Sequence, residues 1–557
     1  MIKNSKTQIT SSKVEFKSKD NRSIKGYIDK KEGNDSHKTF VIISPGYAET
    51  KRDYISTSYY LANNNFTVLR YDCLDHLGES DGEIINFTLL DMEFSILAAM
   101  DYVQNEFGVK EIGIVASSLS GRTAFKIAAS DKRIKYIVAL TSVVDLRDTI
   151  SLVYKEDLIG EYKDGKRWGA IDMMGFELKD DFLKESINNK YDDLNSTIED
   201  INKIDAPICY LVAEDDAWIS YDDMEEVYRH TKNRISRLVK IPGALHQIQE
   251  NPKLAQQAIM KIAEVCIEYS GLVARQGTAI QQPAIHDIVV QNKIELVNLK
   301  NIFSVTGEDE KKFWVNYLEK FFVIIKSKDY QNLLSLVAQL LGDIEEDSQI
   351  LDAGCGNGNF GAWLLCNMES RIKLGNSRFS FTYTGLDFAE SAVNDAKRVH
   401  TDILDRILPS EEQRERFSFK YVMADLEKEI PLRDNSFNKI CCNLVLSYVT
   451  NYSKALKNMH SKLKKSGKIV VSSLKPYNDL SLVYKNYLDQ NLSEEDILEG
   501  RKLLSSAGKI RHKEKQGHYH FFSEEELNKL LEQAGFVNIN TYRSFGNQAN
   551  VAVAEKS

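Results

Sequence analysis

Apolar stretches of strand length alternate with amphipathic helical patterns in two separate parts of this chain. The first part covers about residues 13–241, and the second runs from Gln349 to the C-terminus. Strands that are joined through helices run parallel, so this alternation predicts mostly parallel sheets with helices on their faces. The strand candidates Lys13–Phe16, Ile24–Ile28 and Thr39–Ser44 follow one another without helices, which indicates an antiparallel start to the first sheet. We therefore expect two different α/β domains.

The domain boundaries follow from where this alternation lapses. Residues 145–205 are rich in charged and aromatic side chains, and we interpret them as an insertion over the first sheet. Residues 271–304 have no clear period and contain Gln281-Gln282-Pro283, which is typical of a linker. We thus predict a first domain over 1–270, a linker over 271–304 and a second domain over 305–557.

The composition narrows the class of protein. Hydrophobic residues make up 43% and charged residues 27% of the 557 residues, which excludes collagen-like and low-complexity chains. The net charge of −9 indicates no basic surface, so nucleic acid is not an expected partner. The polar N-terminus predicts no signal peptide, and no apolar run is long enough to predict a membrane span. Seven cysteines without a Cys-x-x-Cys pair indicate reduced thiols, so we expect a soluble cytoplasmic enzyme.

In the first part, an apolar strand runs directly into a helix through small residues, from Ile112 to Gly121. A nucleophilic serine on such a sharp turn needs small neighbours two positions away on either side, usually in the pattern Gly-x-Ser-x-Gly. Here Ala116 and Ser120 replace both glycines around Ser118. A serine-rich helix N-cap is the alternative explanation of this pattern.

Two later residues favour the nucleophile, because α/β-hydrolase triads occur in the order serine, acid, histidine. Asp216 follows the apolar strand Ile208–Val212 and is the expected acid, with Asp215 or Glu214 as alternatives. His246 lies on a loop after the next strand, although a surface histidine would also fit there.

These residues predict a specific chemistry. Ser118 is too weakly acidic to attack an acyl group unaided, so His246 would take its proton while Asp216 fixes the histidine tautomer. The developing oxyanion needs two backbone donors. We expect these from Leu119, directly after the nucleophile, and from Tyr47 in the turn after the third strand.

Further motifs in the same part are Arg70-Tyr71-Asp72, His76-x-Gly78, Ser118-Leu119-Ser120-x-Arg122, Leu146-Arg147-Asp148-Thr149 and Asp216-x-Trp218, followed by His246. Together they resemble the acyltransferases of bacterial bioluminescence over about residues 12–268. Those enzymes are α/β-hydrolase thioesterases that release a fatty acyl chain from acyl carrier protein through an acyl-serine intermediate. The resemblance implies that Ser118, Asp216 and His246 form the triad and that a long acyl thioester is the substrate.

Apolar residues of the insertion either line an acyl pocket or belong to the ordinary core. They are Tyr154, Leu158, Trp168, Met173, Met174, Phe176 and Phe182.

The second part begins with a strand, a glycine loop and a helix start between Gln349 and Gly361. The spacing of Gly356, Gly358 and Gly361 also fits a dinucleotide-binding loop. Asp352 decides against that alternative, because an acid before the first glycine would repel a pyrophosphate but suits a cationic methionine moiety. The pattern Asp-x-Gly-x-Gly-x-Gly resembles motif I of class I S-adenosylmethionine-dependent methyltransferases, over about residues 305–557.

That resemblance implies S-adenosylmethionine as the cofactor. Asp387 ends a second strand, where a carboxylate can accept from both ribose hydroxyls. Asp425 and Leu426 fit the adenine position, and Asn443 is the polar residue after the fourth strand. The complete set of expected cofactor residues is Asp352, Gly354, Gly356, Gly358, Asp387, Phe388, Asp425, Leu426 and Asn443.

The methyl acceptor is less defined, because no Asn-Pro-Pro-Tyr-type signature follows the fourth strand. We expect a small-molecule or acyl acceptor, and residues 476–522 occupy the position of an acceptor lid in related enzymes. Within them, His518-x-His520 is a general base, a metal pair or part of a solvated loop. No third ligand is evident, so we predict no metal site.

The sequence thus predicts a bifunctional enzyme, a thioesterase or acyltransferase fused to a methyltransferase, in a fatty-acid or polyketide type of pathway. The expected partner is an acyl carrier protein or another acyl thioester. The alternatives are a general carboxylesterase fused to a small-molecule methyltransferase, and a non-catalytic hydrolase-fold module that binds substrate for the methyltransferase.

Overall fold

Two separate sheets lie at the centres of two compact units, Met1–Asn301 and Ile302–Ser557. The computed structural model describes residues 9–33, 39–272, 279–302, 312–315, 317, 325–373, 380–408, 416–490 and 493–557. Both units have mixed sheets with helices between the parallel strands, so the predicted α/β class is confirmed.

The strands of the first unit are β1 (Ile9–Lys17), β2 (Ser23–Lys31), β3 (Phe40–Ser44), β4 (Thr67–Tyr71), β5 (Ile112–Ser117), β6 (Ile134–Leu140), β7 (Ala170–Met173), β8 (Phe176–Lys179), β9 (Ile208–Ala213) and β10 (Arg237–Ile241). Eight of them form one sheet in the order β1-β2-β4-β3-β5-β6-β9-β10, and β7 and β8 form a separate hairpin. β1 and β2 are antiparallel to their neighbours, whereas β3 pairs in parallel with β4 and β5. The antiparallel start therefore covers two strands rather than the expected three.

The helices of the first unit are α1 (Ile55–Asn63), α2 (Leu89–Phe107), α3 (Leu119–Ala128), α4 (Leu146–Tyr154), α5 (Leu158–Lys163), α6 (Asp181–Asn188), α7 (Leu194–Ile201), α8 (Tyr221–Arg229), α9 (Pro252–Ser270) and α10 (Ile285–Ile302). The segment interpreted as an insertion, between β6 and β9, contains α4 to α7 and the β7–β8 hairpin. The sheet is buried by apolar side chains such as Val41, Val115 and Val138.

Helix α10 occupies much of the segment predicted as a linker, of which residues 273–278, 303 and 304 lie outside the described part of the chain. Its buried face carries Glu295, which forms an ion pair of 2.6 Å with the fully buried Arg70. Arg70 forms a second pair of 2.6 Å with Asp29 on β2. Burial of one guanidinium between two carboxylates thus attaches α10 to the first sheet. The boundary between the compact units accordingly falls after residue 301.

The strands of the second unit are β11 (Ser348–Ala353), β12 (Phe381–Asp387), β13 (Phe417–Met423), β14 (Phe437–Asn443), β15 (Leu463–Leu474), β16 (Phe536–Ser544) and β17 (Ala549–Lys556). They form a sheet in the order β13-β12-β11-β14-β15-β17-β16, in which β17 is antiparallel to both of its neighbours. The strand order reverses between β11 and β14, and ligands of such open sheets bind beyond the carboxyl ends of the strands at that point.

The helices of the second unit are α11 (Lys328–Leu341), α12 (Asn359–Lys373), α13 (Glu390–Ile407), α14 (Tyr452–Lys462), α15 (Ser481–Leu488), α16 (Glu494–Lys515) and α17 (Glu524–Gln533). Apolar side chains cover both faces of the sheet, for example Leu333 and Phe360 on one side and Leu456 and Leu527 on the other. Within the described residues of the whole chain, no helix has the length and apolar character that crossing a bilayer requires.

Candidate active sites

Ser118 lies at a sharp turn between β5 and α3 in the first unit, with φ 50° and ψ −120°. A positive φ is unfavourable for a residue with a side chain, and it persists only where the surroundings hold it. The Ser118 N–H donates to Leu140 O at 2.9 Å, and Ser118 O accepts from the N–H groups of Gly121 and Val143 at 3.1 Å each. The backbone strain is therefore held by three hydrogen bonds around the predicted nucleophile.

Ser120 replaces the second glycine of the usual pattern and uses its side chain to hold the turn. Its hydroxyl accepts from the Ser117 N–H at 2.9 Å and lies 2.9 Å from the carbonyl oxygens of Ser44 and Ser117, to which it donates. Ala116, in place of the first glycine, is fully buried in β5. Ser120 thus connects the turn to the end of β3 by a hydrogen bond that glycine cannot form.

Asp216 and His246 are brought together by the loops after β9 and β10. His246 Nδ1 lies 2.8 Å from Asp216 Oδ2, and Asp216 Oδ1 accepts from the N–H groups of Trp218 at 2.8 Å and Ile219 at 3.1 Å. A carboxylate held in this way favours the tautomer that carries its proton on Nδ1 and leaves Nε2 able to accept one. The alternatives Glu214 and Asp215 are both exposed to solvent, and Glu214 instead accepts from the Gly243 N–H at 3.0 Å.

The loop after β3 passes directly beside the nucleophile. A Cβ atom at Gly46 would lie 3.0 Å from Ser118 Cβ and 2.8 Å from Glu49 Oε2. The buried Glu49 carboxylate accepts from the Gly46 N–H at 2.8 Å and from the Tyr54 hydroxyl. Glycine at position 46 therefore allows the loop to approach Ser118, and Glu49 fixes it there.

His76 holds the same loop from its other end. Ala48 has φ 58°, and its N–H donates to His76 Nε2 at 3.0 Å. The Tyr47 ring contacts His76, and its hydroxyl donates to Met173 O in β7 at 3.0 Å. Burial raises the pKa of Tyr47 well above its usual range, so the phenol remains a donor. Tyr47 therefore connects the loop to the hairpin of the insertion, while its backbone N–H stays a predicted oxyanion donor.

Leu119 is the first residue of α3, where a backbone N–H has no intrahelical partner. This position is compatible with its predicted role as the second oxyanion donor. Sequence reasoning did not identify Glu49, and it named His76 only as part of a motif. Of the insertion residues, Tyr154, Leu158, Met173, Phe176 and Phe182 are buried, whereas Trp168 and Met174 are partly exposed.

In the second unit, the glycine loop after β11 has a backbone that other residues would strain. Gly354 has φ 85°, and a Cβ atom there would lie 2.4 Å from Val445 Cγ2. Gly358 has φ 82°, and a Cβ atom would lie 2.7 Å from His400 Nε2. His400 donates from that nitrogen to Gly358 O at 2.7 Å. Gly354 thus shapes the loop itself, whereas Gly358 permits close packing of the loop against α13.

A cavity of about 420 Å³ opens beside this loop at the carboxyl ends of β11, β12 and β14. Eight of the nine predicted cofactor residues line it, namely Asp352, Gly354, Gly356, Asp387, Phe388, Asp425, Leu426 and Asn443. Gly358 does not belong to this lining, because it packs against His400 instead. The position agrees with the reversal of strand order between β11 and β14.

Asp352 is the most deeply buried carboxylate of the cavity lining. Tyr383 Oη donates to its Oδ2 at 2.6 Å and Cys441 Sγ donates to its Oδ1 at 3.3 Å. Burial raises the pKa of Asp352 to about 6, although both of these donors act to lower it. A cation bound beside Asp352 would compensate the unfavourable burial of its charge. Sequence reasoning found Asp352 but neither of its two donors.

Backbone N–H groups orient the other acids. Asp387 Oδ2 accepts from the Gly356 N–H and Oδ1 from the Ala389 N–H, each at 3.0 Å. Burial raises the pKa of Asp387. Asp425 Oδ1 accepts from the Glu427 N–H at 2.8 Å. The amide of Asn443 is instead held by a side chain, because its Oδ1 accepts from Ser472 Oγ at 2.6 Å.

The two histidines that were considered as a base or metal pair lie outside the cavity lining. His520 is about half exposed and lies 3.7 Å from Glu526. Among the residues that the structure describes, no group of three or more His, Cys, Asp or Glu side chains has an arrangement that could hold a metal ion.

Comparison with known proteins identifies the family of the first unit. The family model described as "Acyl transferase" matches residues 13–303, more than half of the chain. The chain belongs to this acyl transferase family. The match extends through α10, in agreement with the ion pairs that attach this helix to the first sheet.

Relatives that match the first unit are named acyl transferases. The acyl transferase of Photobacterium phosphoreum is 28% identical over 274 residues, which cover 48% of this chain and 89% of the relative. That of Vibrio campbellii is 26% identical over 242 residues, 43% of this chain and 78% of the relative. The solved structure of Est1E from Butyrivibrio proteoclasticus with bound ferulic acid is 20% identical and covers 46% of this chain and 99% of its own, at a TM-score of 0.40.

The second unit matches a different family. The model described as "Methyltransferase domain" matches residues 325–541 of this acyl transferase family member. A putative methyltransferase of Bacillus halodurans is 18% identical and covers 38% of this chain and 71% of its own, at a TM-score of 0.25. The two family matches show that the chain joins an acyl transferase domain to a methyltransferase domain, and both families are families of enzymes.

Proposed function

We propose that this protein is a bifunctional enzyme that cleaves an acyl thioester through Ser118 and transfers a methyl group from S-adenosylmethionine to a small-molecule or acyl acceptor. The main support for the first activity is the 2.8 Å contact between His246 Nδ1 and Asp216 Oδ2. It occurs in the same unit as a serine on a strained turn. Each of these groups has the chemistry that an acyl-serine mechanism requires.

In the proposed reaction, Ser118 Oγ attacks the acyl carbon while His246 Nε2 takes the hydroxyl proton. The N–H groups of Tyr47 and Leu119 stabilise the oxyanion. The carbon–sulfur bond then breaks, and the thiol leaves with the proton from His246. Water or another nucleophile subsequently takes the acyl group from Ser118 by the same steps in reverse, with His246 again acting as the base.

The substrate class is inferred from the family and from the insertion. The relatives are named acyl transferases, and the β7–β8 hairpin above the loop after β3 brings apolar side chains such as Phe176 near Tyr47. We expect an acyl thioester, with a carrier-bound fatty or polyketide chain as its natural form. An acyl carrier protein would then be the partner, in the cytoplasm, where seven unpaired thiols would stay reduced.

Intact-mass analysis of the full chain tests the first activity. After incubation with dodecanoyl thioester, the wild type should gain the mass of one acyl group, and a fluorophosphonate probe should label it. Ser118→Ala should lose both reactions. Ser130→Ala is the matched control and should keep both, since Ser130 lies just after α3 and its hydroxyl donates to the Ile127 carbonyl. Labelling that survives in Ser118→Ala contradicts the proposed nucleophile.

Two further measurements on the same proteins, turnover of p-nitrophenyl esters and binding of acyl thioesters, separate the alternatives. A general carboxylesterase would turn over short p-nitrophenyl esters at least as well as long acyl thioesters. A non-catalytic binding module would bind acyl thioesters but show neither acylation nor labelling in the wild type. The hydrogen bond between His246 and Asp216 favours a catalytic role of this unit over a role in substrate binding alone. It also argues against a chance placement of the two residues.

For the second activity, the cavity fits a cationic nucleotide-like ligand. Three carboxylates, Asp352, Asp387 and Asp425, line it at the ends of neighbouring strands, and the glycine loop lets a ligand approach the backbone closely. Asp352 would face the positive methionine moiety, Asp387 the ribose hydroxyls, and Asp425 with Leu426 the adenine. S-adenosylmethionine, when bound, supplies an electrophilic methyl group to the acceptor.

Calorimetry with S-adenosylhomocysteine tests this site without turnover. The full chain should bind it, and Asp387→Asn should weaken binding by about tenfold, since one good charged hydrogen bond contributes about 1.5–3 kcal/mol. Asp395→Asn, on the exposed face of α13, is the matched control. A dinucleotide that binds in place of S-adenosylhomocysteine would overturn the methyl-donor proposal.

The order of the two reactions is a further part of the proposal. Methylation follows release of the acyl chain, or it occurs while the chain is still a thioester. Offering free acid and carrier-bound acyl chains separately to the Ser118→Ala variant distinguishes the two orders. If neither form accepts a methyl group, both orders fail.

A further inference from the structure

The β7–β8 hairpin has an unusual residue in its two-residue turn. Met173 pairs with Phe176, so Met174 and Gly175 form the turn, and their φ angles are 52° and 95°. Positive φ at both central residues gives a primed turn, for which asparagine followed by glycine is a preferred sequence. A methionine at the first position is strained, because a residue with a long side chain rarely adopts a positive φ. Backbone strain of this kind indicates a function rather than a gain in stability.

Packing in the core does not explain this methionine. Met174 is partly exposed, whereas Met173 before the turn and Phe176 after it are buried. Methionine is unbranched and polarizable, so it adapts well to apolar partners of variable shape. A partly exposed methionine on a strained turn is therefore suited to contact an apolar ligand.

Two tyrosine hydroxyls hold one peptide group of this turn. The Met173 carbonyl accepts from Tyr47 Oη at 3.0 Å, and the Met174 N–H donates to Tyr154 Oη at 2.7 Å. Both polar atoms belong to the peptide bond between Met173 and Met174. Tyr47 lies on the loop after β3, and Tyr154 is the last residue of α4. The turn is thus attached to the rest of the first unit through the peptide group that leads into its strained residue.

Tyr47 also lies beside the proposed nucleophile. Gly46 precedes it, and a Cβ atom at Gly46 would lie 3.0 Å from Ser118 Cβ. The backbone N–H of Tyr47 is a proposed oxyanion donor, while its hydroxyl donates to the Met173 carbonyl in the hairpin. One residue therefore connects the turn to the place where the oxyanion would form.

Aromatic rings pack between this loop and the insertion. The Tyr47 ring lies 6.4 Å from the Phe176 ring and 5.6 Å from the Phe87 ring, measured between centroids. Phe87 in turn stacks on Phe182 of α6 at 6.2 Å. Closely packed side chains have low compressibility and transmit a displacement to their neighbours. A shift of the hairpin would therefore move Tyr47 as well.

From these contacts we propose that the Met174–Gly175 turn contacts the acyl chain of the substrate, and that the Tyr47 phenol is a positioning group which transmits this contact to the oxyanion donor. The inference rests on the proposed acyl-serine mechanism. A chain that packs on Met174 holds the strained turn in place, and the Met173 carbonyl then fixes Tyr47 beside Ser118. Binding energy from a remote part of a substrate can orient the reacting groups in this way, so truncated substrates lose kcat and not only affinity.

The test measures acylation of the full chain in a single turnover. Butanoyl, octanoyl and dodecanoyl thioesters of pantetheine are each offered over a range of concentrations, and the acyl-Ser118 form is followed by intact mass. Each chain gives a rate constant at saturation and a half-saturating concentration. In the wild type, the rate constant at saturation should rise about tenfold from butanoyl to dodecanoyl, because only the longer chain reaches the turn.

Tyr47→Phe keeps the ring and removes the hydrogen bond to Met173. The ratio of the dodecanoyl to the butanoyl rate constant should fall from about ten to about one, while the half-saturating concentration still decreases with chain length. Tyr269→Phe is the matched control, since its hydroxyl also donates to a backbone carbonyl, Ile235 O at 2.7 Å. It should keep the ratio of the wild type. A purely structural loss would slow all chains by the same factor and leave the ratio unchanged.

Met174→Asn separates the contact with the chain from the stability of the turn. Asparagine before glycine is favoured in a primed turn, so the temperature of thermal unfolding should not fall. The ratio of rate constants should nevertheless approach one, because the apolar contact is lost. A variant that folds at least as well as the wild type but no longer distinguishes chains by rate would support the proposed contact.

Each contrary result has a distinct meaning. A ratio of one or less in the wild type shows that the chain does not accelerate acylation, and overturns the proposal. A wild-type ratio in Tyr47→Phe overturns the role of the phenol, and a wild-type ratio in Met174→Asn overturns the contact with the turn. Fluorophosphonate labelling is measured on the same samples. A wild type that is neither labelled nor acylated overturns the proposed acyl-serine function itself.

Discussion

The two candidate sites of this chain differ in which reacting groups the protein itself supplies. In the first unit the proposed reacting groups belong to the protein itself, namely a serine on a strained turn and a histidine that is hydrogen-bonded to a carboxylate. In the second unit the protein contributes carboxylates whose charge is costly to bury and which neutral donors, such as Tyr383, partly satisfy. The proposed covalent catalysis would thus use a strained and fixed nucleophile, whereas the proposed methyl transfer would use a pocket in which the bound cation compensates the buried negative charge.

The largest expected effect comes from a substitution that changes the first site and leaves the second unchanged. Asp216→Asn should lower the rate of acylation by roughly 10⁴-fold, because an amide favours the wrong histidine tautomer. The methyl donor should bind with unchanged affinity. Stopped-flow measurement of acylation with calorimetry on the same sample checks both statements, and Asp215→Asn is the matched control. Equal acylation rates in the two variants would show that the acid has been misassigned.

The next effect concerns the stability of the first unit. Glu295→Ala leaves the buried Arg70 with Asp29 as its ion-pair partner, and removing one member of a buried ion network costs about 3–5 kcal/mol. The thermal unfolding of the first unit should move to lower temperature, while protection of the second unit by S-adenosylhomocysteine is retained. Glu264→Ala, on the exposed side of α9, is the control. An unchanged unfolding transition would contradict the role of α10.

A smaller effect is expected at the loop that supplies an oxyanion donor. Glu49→Ala removes the acceptor for the Gly46 N–H and the Tyr54 hydroxyl, so the loop should lose its fixed position beside Ser118. Acylation should slow by about 10²-fold, the size of a lost oxyanion donor, with little change in KM. Glu49→Gln should recover part of the rate because its amide oxygen still accepts. A rise in KM alone would instead indicate a role in binding substrate.

The smallest effect is a pH dependence in the second unit. The raised pKa of Asp352, about 6, means that the carboxylate is ionised above pH 6 and protonated below it. Because only the ionised form attracts a cation, the affinity for S-adenosylmethionine should fall by up to about tenfold between pH 6 and pH 5. Asp352→Asn should remove this dependence. Tyr383→Phe removes a donor that lowers this pKa, and should therefore move the fall to higher pH. A profile that is the same in all three proteins would contradict the assignment.

Sequence periodicity predicted two mostly parallel sheets, but not that residues 285–302 of the expected linker form a helix. The reason lies in α10, whose buried face includes Gln291 and Glu295, while Ile285 is 78% and Val297 is 56% exposed. Apolar periodicity locates a helix by its apolar buried face. Here two of the buried residues, Gln291 and Glu295, are polar, and Leu299 is the buried apolar residue one turn further on. Glu295 is satisfied by its ion pair with Arg70. A pattern of apolar residues therefore gives no sign of where this helix packs.

The candidate site residues likewise include some that the sequence could predict and some that it could not. Ser118, Asp216 and His246 follow strands within a few residues, and Asp352 lies near the end of one, so their positions at strand ends could be predicted from the chain order. Glu49 acts through backbone groups, and Tyr383 through a carboxylate that lies far away in sequence. No spacing rule connects such partners, since only the folded backbone brings them together.

The ion pairs around Arg70 have a practical consequence for anyone who separates the two activities. A recombinant first half that stops at residue 270 would keep the catalytic residues but leave out Glu295. A guanidinium inside the protein would then face one carboxylate where it now has two. Fragments cut for biochemistry should accordingly retain the chain through Ile302, even though all the groups proposed for acyl chemistry lie well before it.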